Sequence, residues 1–210
     1  EQTEGSGEAT ASATPGTVVF HDLPEMIVTL NTGARKAAFL KIRVSLELTQ
    51  SADVPKVQSA VDLSDDVGVR FIEKARALGV KVICIHKGLP FGKQSYEHSQ
   101  CSDIGVVAKR FPDVAFLVYH SGFVTGVTEQ AYDPSAHRDG IGTLIHSLAE
   151  NEVRPNSNVY AELGSTWRFL MREPTAAAHA LGKLIKACGE NNVLWGTDSI
   201  WYGSPQDQIQ

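Results

Sequence analysis

Between residues 62 and 198 the chain switches repeatedly between two hydrophobic periods. Val69, Ile72, Ala75, Ala77 and Leu78 recur at helical spacing after Asp65-Asp66, and Gly79 closes the run. VKVICIH (80–86) then follows as a continuous apolar stretch without alternation, the pattern of a strand buried on both faces. The cycle returns three times. A helix over about 102–110 precedes the strand VAFLVYH (114–120), a helix over about 140–151 precedes NVYAEL (158–163), and a helix over about 174–189 precedes NVLWGTD (192–198). Alternating helices and short apolar strands predict a parallel sheet joined by right-handed crossovers.

The first third of the chain has a different texture. Residues 1–16 are polar and small, with almost nothing to bury, and read as a disordered lead. TVVFHDLPEMIVTLN is a β-type run broken by Pro24, and Asn31-Thr32-Gly33 marks a turn. In AAFLKIRVSLELTQ, Leu40, Ile42, Val44, Leu46 and Leu48 share one face while Lys41, Arg43, Ser45 and Glu47 share the other. That period of two predicts a half-buried strand, paired antiparallel with the run before it. A short helix is expected through Val57 and Val61, opened by Asp53 and Pro55.

Composition narrows the classes. In 210 residues the formal net charge is -5, which does not suggest a nucleic-acid surface. No apolar run approaches the ~18–20 residues of a membrane span, and no leader peptide is visible. The chain opens on Glu1, which suggests a segment of a longer product. Cys84, Cys101 and Cys188 are widely spaced, forming neither a disulfide framework nor a zinc motif.

Candidate chemistry sits at the strand ends. The four predicted strands end in His86, His120, Glu162 and Asp198, 34 to 42 residues apart. Neighbouring parallel strands lie ~5 Å apart, so if the four strands are neighbours in this order these groups share one rim. Imidazole nitrogen and carboxylate oxygen suit zinc or a similar divalent ion, whose bound water is acidic enough to ionise near neutrality. Lys87 is a candidate for a substrate carboxylate. Trp167 and Arg168, with Trp201 and Tyr202, are candidates to line a pocket. His146 and His179 fall inside predicted helices and read as structural; Cys84 reads as a small core residue.

At VKVICIHKGLPFG, DVAFLVYHSGF, NVYAELGSTW and NVLWGTDSIWYGSPQDQI, residues 64–210 resemble the amidohydrolase-related superfamily. The branch is the amidohydrolase 2 type, which includes aminocarboxymuconate-semialdehyde decarboxylase and related metal-dependent hydrolases. The resemblance rests on a His at the fifth barrel strand, His-Ser-Gly at the sixth and Gly-Thr-Asp at the eighth. It implies the second half of a TIM-like (β/α)8 barrel of about four βα units, a divalent metal, most often zinc, and a small carboxylate-bearing substrate. It makes His86 a metal ligand and Asp198 a ligand or the base on metal-bound water. It makes His120 the acid/base, or a ligand as in other branches, and gives Glu162 no fixed role. The His-x-His pair of the family's first strand does not occur in this chain.

Residues 17–62 resemble instead the flagellar basal-body-associated FliL family, through Leu-Pro-Glu, the strand V-x-L-N and the strand that begins Phe-Leu-Lys and ends Leu-Glu-Leu. Members carry a membrane helix before a periplasmic domain that associates with the flagellar motor. The two resemblances imply a chimera of truncated domains: a hydrolase or decarboxylase impaired by the absence of the first half of its barrel, or alternatively a flagellar motor-associated fragment or a product without function. The amidohydrolase portion implies a cytoplasmic location; the flagellar portion implies a periplasmic, membrane-anchored one. Self-association through open sheet edges is expected.

Overall fold

The computed structural model describes residues 19–22, 26–30, 38–42, 45–48, 62–90, 96–136, 139–199 and 205–208. By its internal contacts the chain divides into two compact units, Glu1–Val57 and Gln58–Gln210. The polar lead and the helix expected near residues 57–61 lie outside the described residues, as do Trp201 and Tyr202.

Among the described residues, the first unit holds four short strands: β1 (Val19–Asp22), β2 (Met26–Leu30), β3 (Ala38–Ile42) and β4 (Ser45–Leu48). β2 and β3 form the expected antiparallel pair, with Met26 opposite Ile42 and Leu30 opposite Ala38. The described residues of the alternating run over 40–48 fall into two different pairings, however. Its second part, β4, pairs with β1, Val19 opposite Leu48, in a separate two-stranded sheet.

The second unit is mixed α/β. Helix α1 (Asp66–Ala77) begins where Asp65 accepts a hydrogen bond from the Gly68 N–H at 2.7 Å, so a side chain satisfies one of the donors a helix start leaves open. It ends at Leu78 and at Gly79, whose φ of +83° suits glycine. Strand β5 (Val82–His86) leads to α2 (Tyr96–Ser99) and α3 (Ile104–Arg110). β6 (Ala115–Tyr119), α4 (Ile141–Glu150), β7 (Val159–Glu162), α5 (Gly164–Leu170), α6 (Pro174–Cys188) and β8 (Val193–Leu194) complete it. Pro174 stands in the first turn of α6, where its missing N–H costs nothing.

The four strands pair in chain order, β5-β6-β7-β8, and every pairing is parallel. This is a parallel sheet consistent with part of a TIM-like barrel. The helices stack in series, α3 on α4, α4 on α6, and α6 on α5 and β7. Their apolar sides meet one face of the sheet in a core that includes Ile104, Val107, Leu144, Ile145, Leu148 and Leu184 with Phe116, Val118, Val159 and Ala161.

The other face differs from expectation. VKVICIH is not buried on both sides: Val82 is 54% exposed and Cys84 is exposed, while Ile83 is buried. Tyr119 and Leu194 are open as well. The stretch is apolar enough for two covered faces, but among the described residues the helices cover only one. Cys84 is therefore a surface thiol and not a core residue. No described helix is long and apolar enough to cross a membrane.

Candidate active site

The C-terminal ends of β5, β6 and β7 bring His86, His120 and Glu162 together, and the segment after β8 adds Asp198. His86 and Glu162 are the last residues of their strands. The other two differ from the sequence expectation. β6 stops at Tyr119, and His120 opens a 3-10 turn, His120–Gly122, in which all three residues have positive φ: +63°, +53° and +80°. β8 is only two residues long, so Asp198 lies four residues past its end, itself at φ +46°. Left-handed backbone at His120, Ser121 and Asp198 is strained for residues with a Cβ, and such strain persists where surrounding bonds over-determine it.

Here a set of hydrogen bonds does so. Thr166 Oγ1 donates to the His120 carbonyl at 2.9 Å, and Ser121 Oγ donates to the Glu162 carbonyl at 2.8 Å. The His120 N–H donates to Glu162 Oε2 at 3.3 Å, and the Gly164 N–H donates to Glu162 Oε1 at 2.7 Å. The Ser165 N–H and Oγ both donate to Asp198 Oδ2, at 3.1 and 2.5 Å. The Gly-Ser-Thr that opens α5 thus holds both carboxylates and the histidine turn. Gly196, in Gly-Thr-Asp, leaves room for the same carboxylate: a Cβ there would collide with Glu162 Oε1. None of these supporting roles was expected from the sequence. The one signal was Gly-Ser-Thr beginning two residues after a strand-end Glu, where the unpaired N–H groups of a helix start favour carboxylates.

The imidazoles of His86 and His120 meet edge to face, 4.6 Å between centroids at 73°. His120 Nδ1 stands 3.7 Å from Asp198 Oδ2. Burial favours the neutral form of both imidazoles. It lowers the pKa of His86 against the opposing pull of Asp198. It lowers that of His120 to about 4, with the neighbouring His86 adding to the effect and Asp198 opposing it. Burial raises the Glu162 carboxyl, partly offset by the two N–H groups bound to it.

Among the described residues, the other candidates are Lys87, Trp167 and Arg168. Lys87 is 1% exposed, and its ammonium pairs with Asp103 Oδ2 at 2.8 Å; the charge expected to meet a substrate carboxylate is already balanced inside the protein. Trp167 Nε1 donates to the Gln208 carbonyl at 2.8 Å, and the Gln208 side chain in turn donates to the Thr197 carbonyl, so this tryptophan braces the segment before Asp198. Arg168 is half-buried beside it on α5. Trp201 lies outside the described residues. A hollow of about 350 Å³ lies at the other end of the sheet, lined by Lys81, Pro112, Asn158 and Tyr160 among others, and contains none of the four clustered residues.

Two neutral imidazoles and two carboxylates are donors that suit a divalent ion, zinc included. His120 Nδ1 is buried with no hydrogen-bond partner, so this nitrogen is open to a proton or to an ion. Both Glu162 oxygens, by contrast, are bound to backbone N–H groups. Among the described residues no three His, Cys, Asp or Glu side chains stand close enough together to cage an ion. The cluster fits such an ion in donor chemistry and supplies less than a full set of ligands.

The family model described as Amidohydrolase matches residues 51–208. It takes in all four strand-end groups and leaves residues 1–50 outside. No curated protein and no solved structure matches the chain.

Proposed function

The chain belongs to the amidohydrolase family, and we propose that it serves metal-dependent hydrolysis or decarboxylation of a small carboxylate-bearing molecule. His86 and Asp198 would hold the ion, zinc by preference, and His120 with Asp198 would handle the proton. The observation that supports this reading is the meeting of His86, His120 and Asp198 at one rim of the sheet. A bound divalent ion would supply the acidity that makes water a nucleophile near pH 7, ~7 in pKa.

The chain's own residues do the rest. Neutral His120 is a proton acceptor, and the carboxylate of Asp198 stabilises the imidazolium that results. Ser165 fixes the Asp198 oxygen that faces His120. Glu162 holds the backbone of His120 from beneath. Glu162, Trp167, Arg168 and Trp201 remain our candidates for the substrate pocket. Nothing in the family match bears on the flagellar resemblance of residues 17–62, and no activity is proposed for that segment.

The test is metal content. Chelator-stripped protein is titrated with zinc and its stoichiometry measured by elemental analysis. We expect one zinc per chain, lost in His86→Ala and in Asp198→Ala. Metal no higher than background in the wild-type chain would overturn the proposal.

A further inference from the structure

Lys87 follows His86 directly, and its side chain runs into the protein interior. Its ammonium donates to the His98 carbonyl at 2.9 Å as well as pairing with Asp103. Both side chains are 2% exposed. The same Asp103 oxygen accepts the Leu63 N–H at 2.8 Å. A pair so deeply buried is weak evidence for stability, because apolar residues of similar volume often hold a fold as well or better. What such a pair does supply is position, since each charge is satisfied at only one place.

The backbone of Lys87 explains what is being positioned. Its N–H donates to the Tyr119 carbonyl at 3.2 Å, and its carbonyl accepts the Gly122 N–H at 3.0 Å. Lys87 is therefore clamped to both ends of the left-handed His120–Gly122 turn. The next two residues tighten the clasp: Gly88 N–H to the Ser99 carbonyl and Leu89 N–H to the Phe123 carbonyl, each 2.6 Å. Gly88 has φ +96°, and a Cβ there would press on the backbone of Gly122 and Phe123. The end of β5 and the turn after β6 form one backbone unit, and the Lys87 side chain anchors that unit to the start of α3.

We propose that the buried Lys87–Asp103 pair is a positioning device, which fixes the His86 and His120 imidazoles relative to one another. Its consequence for metal binding rests on the function proposed above; its consequence for the imidazoles does not. The test compares the full wild-type chain with Lys87→Met/Asp103→Asn, which removes both charges and keeps an acceptor for the Leu63 N–H. Asp103→Glu, which keeps both charges and moves the carboxylate by one methylene, serves should the double variant fail to fold.

Three quantities are read: the urea midpoint, the imidazole nitrogen resonances of His86 and His120 in metal-free protein, and zinc affinity by chelator competition. We expect folded variants in which both imidazoles shift and zinc binds ~10–100-fold more weakly, the usual loss when a group supporting a ligand is removed. Unchanged imidazole resonances in a folded variant would overturn the proposal and leave the pair a purely structural one. A wild-type chain that binds no zinc, with imidazoles that still shift in the variants, would sink the metal reading and keep this one.

Discussion

His120 carries the clearest pH consequence in the molecule. Its folded-state pKa is about 4 against an ordinary 6.5, and that of His86 moves in the same direction. Between those values the unfolded chain binds protons that the folded chain refuses. Stability is therefore fully present above pH ~6.5 and is lost as the pH falls toward ~4. For His120 alone the loss is at most about 3 kcal/mol. The raised Glu162 carboxyl works the other way at the lower end, gaining its proton more readily in the folded state. Urea denaturation of chelated protein at pH 7.5, 6 and 5 should show the decline, and His120→Asn should flatten it. A wild-type midpoint independent of pH across this window would contradict the assignment. The four strand-end groups were legible in the sequence because each terminates an apolar run. Ser165, Gly164 and Gly196 were not, because their part is played by backbone N–H groups, by a hydroxyl that meets Asp198 only in the fold, and by the space a missing Cβ leaves. The left-handed turn at His120 was hidden for the same kind of reason: it is held by Thr166 and Ser121, which come together only in the fold.

At the scale of elements, the long connection from β6 to α4 is held by a second buried ion pair. Glu129 and Lys183 are 3% and 5% exposed and bonded to each other. Glu129 Oε1 also accepts the Ile141 N–H that opens α4, at 3.3 Å. The ring of His179 donates from Nδ1 to the Glu129 carbonyl at 3.0 Å. One residue thus ties the connection to the first turn of α4 and to two successive turns of α6. Lys183→Met would leave a buried carboxylate uncompensated, at a cost of about 3–5 kcal/mol. Adding Glu129→Gln, which keeps an acceptor for Ile141, should recover most of that loss. Urea denaturation of the single and double variants checks both, and a single variant within ~0.5 kcal/mol of wild type would show that the pair holds nothing. The helices themselves were readable from period and punctuation, as with Asp65 before α1 and Pro174 at α6. The staple was not, since residues 129 and 183 are far apart in sequence and each looks like an ordinary surface charge.

At the scale of the whole molecule, the order and direction of the sheet were legible while its surroundings were not. Alternation of helix and strand is a local signal, and it gave four parallel strands in chain order. An apolar run such as VKVICIH records what its side chains tolerate and says nothing of what covers them. Val82 at 54%, Tyr119 at 37% and Leu194 at 37% exposed, with Cys84, leave apolar surface on the uncovered face, and β5 has one hydrogen-bonded neighbour among the described residues. An open strand edge beside apolar surface favours association with further copies of the chain. The cysteines report on this directly. Burial pushes the Cys101 and Cys188 thiols up to about 12, and both lie in the core, so neither should react with a thiol reagent at pH 8 until the chain unfolds. Cys84 should react at once in dilute solution. As concentration rises, sedimentation should show larger species, and Cys84 should slow while Cys101 and Cys188 stay silent throughout. A chain that sediments as a monomer at every concentration, with Cys84 equally fast in all of them, would show that the open face remains in water.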